Sequence, residues 1–226
     1  MCIILIGDKN FRLAQELKVL FKTKPVYFHI PFINSNEQPE WIEWTKKNSR
    51  QLGGIGPGAA GCLIGHRRAW EILEARDFDF AVVLEADAVV TSYGKKHLEE
   101  FVLNFKESGK NIIHLGSHED NLLLPKFKNI VRWSLRNILK EIYERVILKF
   151  SKPITVARRF PFSTHAYLIN RSAASELSKV PLNFLSPVDV LLNSYSQVTL
   201  NKIATVRTPL LVQQSNNESL TRKIGR

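Results

Sequence analysis

Short apolar runs alternate with helically spaced apolar stripes along the chain. Residues 3–6 predict a strand that stops at Gly7-Asp8. Residues 11–21 place Phe11, Ala14, Leu17, Leu20 and Phe21 at the spacing of one helix face. Residues 26–30 predict a second strand, closed by Pro31. Residues 62–75 predict a helix, with Leu63, Ala69, Ile72 and Leu73 on one side. Residues 80–84 are an unbroken apolar run, the mark of a strand buried on both faces. A helix over 95–105, a strand over 112–115, a strand over 162–169 and a helix over 171–180 follow. A last helix starts at Ser186-Pro187-Val188-Asp189, with Pro187 suited to its first turn. Residues 203–206 and 210–212 complete the apolar pattern. Strands alternating with helices predict a single α/β domain over 1–226, with a mainly parallel central sheet flanked by helices. Residues 34–60, polar and then Gly-rich, predict a long loop of the kind that carries function.

The run from Phe80 ends on two carboxylates, Glu85 and Asp87. Carboxylates at a buried strand need a cation or a hydrogen-bond donor to meet them. If the strand continues through both, they share a face, because side chains two apart point the same way. Two hard oxygen ligands there suit Mg²⁺ or Mn²⁺. Ligands on α/β sheets bind at the carboxyl ends of strands, where this pair falls.

Composition narrows the function classes. With 44% apolar residues among 226, the chain can bury a proper core. Cys2 and Cys62 have no partner at metal-ligand spacing, so a reduced, cytoplasmic protein is expected. No apolar run spans a bilayer and the N-terminus lacks a basic signal region. Net charge is +11. Between 126 and 159, ten Lys or Arg stand against Glu141 and Glu144, so +8 of that charge lies in one segment. Residues 130–150 also carry an apolar stripe, including Val131, Leu135, Ile142 and Val146. This basic amphipathic insertion at about 126–159 is read either as a surface helix packed on the core or as a peripheral contact with an anionic membrane, on its inner face. No nucleic-acid motif is present, so nucleic acid is not expected as a partner.

Gly56-Pro57-Gly58-Ala59-Ala60-Gly61 fits Gly-x-Gly-x-x-Gly, and Glu85 and Asp87 follow near the dinucleotide spacing. A nicotinamide-dependent Rossmann oxidoreductase is therefore one alternative. Against it, residues 45–54 are polar and basic, without the strand that should enter the glycines. A helix start after such glycines can still bind phosphate, with His66, Arg67 and Arg68 adding positive charge. His114 and His118 do not make a zinc signature.

The order of motifs carries more. Gly61-Cys62-Leu63-Ile64-Gly65-His66-Arg67-Arg68-Ala69-Trp70 precedes Val82-Val83-Leu84-Glu85-Ala86-Asp87-Ala88. Then come His114-Leu115-Gly116, Ser163-Thr164-His165-Ala166-Tyr167-Leu168-Ile169, Pro187-Val188-Asp189 and Pro209-Leu210-Leu211-Val212-Gln213-Gln214. Over residues 55–215 this resembles glycosyltransferase family 25, the lipooligosaccharide and collagen galactosyltransferase-like group. The resemblance implies a GT-A fold and inverting transfer of a hexose, commonly galactose, from a UDP-sugar to a glycan or glycolipid acceptor. It implies Mn²⁺ (or Mg²⁺) on Asp87 and Glu85, and Asp189 as the catalytic base. It places His66, Glu85, Thr164, Tyr167 and Gln214 at the substrates. Three positions depart from the family pattern: Gly65 stands for Ser, Ala86 for a second Asp and Ser163 for Gly. The alanine keeps a further alternative open, a non-catalytic glycan- or membrane-binding homologue.

Overall fold

The computed structural model describes residues 1–7, 11–31, 57–118, 154–156, 164–181, 186–199, 202–206 and 209–213. Its strands are β1 (Cys2–Ile6), β2 (Val26–Ile30), β3 (Phe80–Glu85), β4 (Ala88–Val90), β5 (Ile112–His114), β6 (Gly116–His118), β7 (Ile154–Val156), β8 (Ala166–Asn170), β9 (Ile203–Val206) and β10 (Leu211–Gln213). Its helices are α1 (Phe11–Leu20), α2 (Pro57–Ala75), α3 (Ser92–Leu103), α4 (Arg171–Ser178) and α5 (Val188–Val198).

Seven strands form the main sheet in the order β2-β1-β3-β8-β5-β9-β7. Strands β1, β2, β3, β5 and β9 run one way, and β7 and β8 oppose them. The expected α/β class with a mainly parallel sheet is therefore found. A second, three-stranded sheet, β4-β10-β6, stands apart from it.

Side-chain alternation divides the core into two layers. Cys2, Ile4 and Ile6 of β1 and Ala81 and Val83 of β3 pack with α2, α4 and α5. Ile3 of β1 and Phe80, Val82 and Leu84 of β3 pack with α1 and α3 on the opposite face. The next position on the first face of β3 after Val83 is Glu85. The period of the strand thus aims that carboxylate at α2. Caps fix two of the helices. Thr91 Oγ1 accepts from Gly94 N–H at 2.9 Å to start α3, and Asn170 Oδ1 accepts from Ala173 N–H at 2.8 Å to start α4. Helices α2 and α4 pack extensively, and Glu74 ties them by accepting from Ser175 and Ser178. The Lys179 ammonium, with these hydroxyls, lowers the Glu74 carboxyl to about 2.

Several expectations need correction. The helix expected from residue 62 begins at Pro57, so the loop expected through residue 60 ends earlier and Gly58 and Gly61 lie inside α2. No glycine turn precedes the helix over those residues, and Gly56 lies outside the described ones. The run from Phe80 to Val90 is two strands in two sheets, because residues 86–87 form a turn. The shared-face argument therefore stops at Glu85. Of the basic stretch at 126–159, only Ile154–Val156 is described, and it pairs with β9 as an edge strand of the main sheet. The amphipathic pattern at 130–150 lies outside the described residues.

Candidate functional site

Helical spacing builds one wall of the site. Cys62, His66 and Trp70 stand four residues apart on α2, which stacks them along one face. That face lies against β3 and β8. Tyr167 of β8 is paired with Val83 of β3, so it points to the same layer. Just before β8, the His165 carbonyl accepts from Glu85 N–H at 2.8 Å, which brings Thr164 beside the Glu85 side chain.

These residues form a continuous network. Trp70 Nε1–H donates to the Tyr167 hydroxyl at 3.0 Å. That hydroxyl lies 2.7 Å from His66 Nδ1, and His66 Nε2 lies 3.1 Å from Glu85 Oε1. Thr164 Oγ1–H donates to the same carboxylate oxygen at 2.6 Å, and Cys62 Sγ lies 3.9 Å from it. Trp70, Tyr167 and His66 are fully buried, whereas the Glu85 side chain is 21% exposed. The network thus leads from the core to a carboxylate that meets solvent.

The electrostatics follow from this placement. Burial pushes the Glu85 carboxyl up, but the hydrogen bonds from His66 and Thr164 outweigh it and hold the carboxyl below its usual range. Glu85 is therefore an ionised acceptor and a poor proton donor at neutral pH. Burial pushes the Tyr167 phenol well up, so it keeps its proton. Burial and then the Glu85 charge push the Cys62 thiol well up, and Asp189 and Asp87 add smaller pushes in the same direction. Those two carboxylates thus share an electrostatic neighbourhood with Cys62 and Glu85. Asp87, in the turn after β3, accepts from Gln213 Nε2–H of β10 at 2.8 Å. Asp189, in the first turn of α5, accepts its own neighbour's Val190 N–H at 2.9 Å.

The divalent cation that the motifs imply can be tested against these donors. Cys62, His66 and Glu85 offer ligand atoms within 4.8 Å of one another. That set does not fit Mn²⁺ or Mg²⁺, which take oxygen, because it contains a protonated thiol and an imidazole whose two nitrogens are already engaged. Asp87 fits better: it is a half-buried carboxylate in the turn two residues after Glu85, with Gln213 holding one oxygen in place.

Of the residues singled out in the sequence, His66, Glu85, Thr164 and Tyr167 are in one network, Asp87 and Asp189 flank it, and Gln214 lies outside the described residues. Cys62, Trp70 and Gln213 stand in the motifs of the sequence but were assigned no role at the site. The four-residue spacing of Cys62 and Trp70 about His66 was the available signal for the first two. Nothing in the sequence distinguishes Gln213 from Gln214 until β10 has a register. His114 and His118 fall on strands of different sheets, and the His114 ring meets His165 edge-on at 5.6 Å instead.

The departure at Gly65 has a steric basis. A Cβ there would come 2.7 Å from Ile6 Cγ2 of β1, closer than side chains pack. Gly65→Ser is expected to cost roughly 1–3 kcal/mol by overpacking α2 against β1. Urea unfolding would measure it, and a midpoint equal to that of the unaltered chain would refute the explanation. At the second departure, a Cβ on Gly7, whose φ of +112° favours glycine, would come 3.0 Å from the Ala86 Cβ, while Ala86 N–H donates to the Ile6 carbonyl at 2.8 Å. Ser163 lies outside the described residues.

Comparison with known proteins agrees with this architecture. S. aureus TarS matches with a TM-score of 0.50 and 12% identity, over 95% of this chain and 37% of that one. Its 1–349 portion matches with a TM-score of 0.49 and 11% identity, over 95% of this chain and 61% of that one. A glycosyltransferase involved in the glycosylation of the major capsid of PBCV-1 matches with a TM-score of 0.47 and 12% identity, over 100% of this chain and 97% of that one. The chain thus spans less than two thirds of the TarS chains it matches, and the match with a TM-score of 0.50, at 12% identity, concerns the fold alone, which is of the GT-A type. No curated protein matches the chain. No helix among the described residues is long and apolar enough to cross a membrane. The sequence profile of Glycosyltransferase family 25 (LPS biosynthesis protein) covers residues 30–192, and so includes α2 with His66, the β3 carboxylates, Thr164, Tyr167 and Asp189. That span leaves the oxidoreductase alternative without support. A profile match over residues 30–192, more than half of the chain, makes this chain a member of glycosyltransferase family 25.

Proposed function

We propose that the chain transfers a hexose, galactose first among candidates, from a UDP-sugar to a glycan of the lipopolysaccharide or lipooligosaccharide type, with inversion. The observation that carries this reading is Glu85. It is kept ionised by a buried network and is partly exposed at the carboxyl end of a central strand, where α/β folds bind ligands. A carboxylate so held accepts hydrogen bonds from sugar or ribose hydroxyls. Asp87, steadied by Gln213, would hold Mn²⁺ or Mg²⁺. When bound, such an ion neutralises charge on the departing diphosphate. Asp189 is the proposed base: the acceptor oxygen forms the bond to the anomeric carbon, the bond to the diphosphate breaks, and the acceptor proton passes to Asp189. Thr164 steadies Glu85, and Gln214, next to Gln213, is a proposed substrate contact. The basic segment at 126–159 is the proposed contact with the anionic surface where a lipid-linked acceptor lies.

Thermal unfolding with a panel of nucleotide sugars, each with and without Mn²⁺, tests the donor. Saturation at about 100 times Kd adds about 2.7 kcal/mol, or roughly 5–10 °C for a chain of this size. A UDP-hexose is expected to give that shift with Mn²⁺ and a smaller one without it. If no UDP-sugar raises the midpoint, the reading fails and the non-catalytic homologue takes its place.

A further inference from the structure

Tyr167 and Trp70 are fully buried, so neither can touch a sugar, yet their polar atoms are aligned on the site. The direction of each hydrogen bond follows from donor chemistry. An indole N–H can only donate, so the Tyr167 oxygen accepts from Trp70. The phenolic hydrogen then has His66 Nδ1 as its acceptor, 2.7 Å away. With Nδ1 accepting, a neutral imidazole carries its hydrogen on Nε2, which faces Glu85 Oε1. With a neutral imidazole the series runs in one direction: Trp70 to Tyr167 to His66 to Glu85.

We propose that Trp70 and Tyr167 are positioning residues that lock His66 in its Nε2–H tautomer and thereby fix the Glu85 carboxylate for the donor. The proposal rests on the reading that Glu85 meets the UDP-sugar. Without the Tyr167 hydroxyl, Nδ1 loses its only donor in the network. The imidazole can then move its hydrogen to Nδ1, which turns the Nε2 lone pair toward the carboxylate and releases Glu85 from one side. Thr164 and the weaker Cys62 thiol would then be left to hold Oε1. A thiophilic metal ion on Cys62, His66 and Glu85 would require the opposite arrangement, a bare Nε2.

The ¹⁵N imidazole spectrum of the histidine-labelled full chain, with affinity for UDP-galactose in Mn²⁺, tests this. In the unaltered chain His66 is expected as the Nε2–H tautomer alone. In Tyr167→Phe, an isosteric change, the Nδ1–H form is expected to appear and UDP-galactose affinity to fall about tenfold, the effect of one neutral hydrogen bond. An Nδ1–H or doubly protonated His66 in the unaltered chain overturns the proposal without recourse to any variant. So does a Tyr167→Phe protein that keeps both tautomer and affinity, or one that changes tautomer while affinity falls only in Glu85→Gln. If the tautomer changes but neither variant alters affinity, the donor-contact reading of Glu85 fails, and the positioning role falls with it.

Discussion

Glu85→Gln is expected to lower kcat/KM for the nucleotide-sugar donor by about 10- to 100-fold while leaving the fold intact. The amide oxygen can still accept from Thr164 and His66, which now donate to Oε1 at 2.6 and 3.1 Å. What it removes is the negative charge that His66 and Thr164 stabilise against burial. A hydrogen bond to a charged group is worth about 1.5–3 kcal/mol, and each 1.36 kcal/mol of transition-state stabilisation is tenfold in rate. Glu85→Leu separates the two roles of the side chain. It leaves the His66 N–H and the Thr164 hydroxyl without their acceptor in a buried wall, at about 1–3 kcal/mol each. The leucine variant should therefore lose both activity and roughly 2–5 kcal/mol of stability in urea, and the glutamine variant only activity. Equal stability losses in the two would mean that Glu85 is a structural carboxylate. Full activity in the glutamine variant would remove it from the reaction.

Part of the Glu85 wall follows from periodicity in the sequence. Period two along β3 aims Glu85 at the layer of Val83, and spacing of four along α2 aligns Cys62, His66 and Trp70. The chain does not reveal contacts that depend on strand register. Tyr167 meets His66 because β8 pairs antiparallel to β3 with Tyr167 opposite Val83, a choice made by partners about 84 residues apart. The strands β4, β6 and β7 have three residues each, too few to show alternation, and exist through pairing with β10 or β9. The start of α2 was hidden for another reason. Gly58 and Gly61 are poor helix formers, and burial of Ala60, Leu63 and Ile64 against the sheet outweighs their propensity. The turn after Glu85 had the same character, because Asp87 is its one turn-favouring residue and no Gly or Pro accompanies it. It is set by the Ala86 hydrogen bond to Ile6 and by β4 leaving for the second sheet.

That turn governs the last prediction. Asp87→Asn should remove the Mn²⁺-dependent part of UDP-sugar binding and reduce transfer at least about 100-fold, while leaving metal-free UDP binding within about threefold. The asparagine oxygen can still accept from Gln213 Nε2–H, now at 2.8 Å, so the turn and its link to β10 survive the change. The ionic ligand does not, because a neutral amide is a far weaker partner for a hard divalent cation than a carboxylate. Cys62→Ser serves as the opposing control. Cys62 belongs to a Cys-His-Glu group whose atoms approach within 4.8 Å, but its burial and the Glu85 charge keep the thiol protonated. A serine there should leave the Mn²⁺ response unchanged. Titrating Mn²⁺ into each variant in the presence of UDP-galactose decides between the two sites. Loss of the response in Asp87→Asn alone places the ion on the carboxylate. Loss in Cys62→Ser alone would put it on the buried trio and overturn the assignment to Asp87. Since Ala86 occupies the position where the family has another Asp, a metal bound at this site would rest on one protein carboxylate, phosphate oxygens and water. Its affinity should therefore depend strongly on the diphosphate, so Mn²⁺ binding measured without nucleotide should be weak even in the unaltered chain.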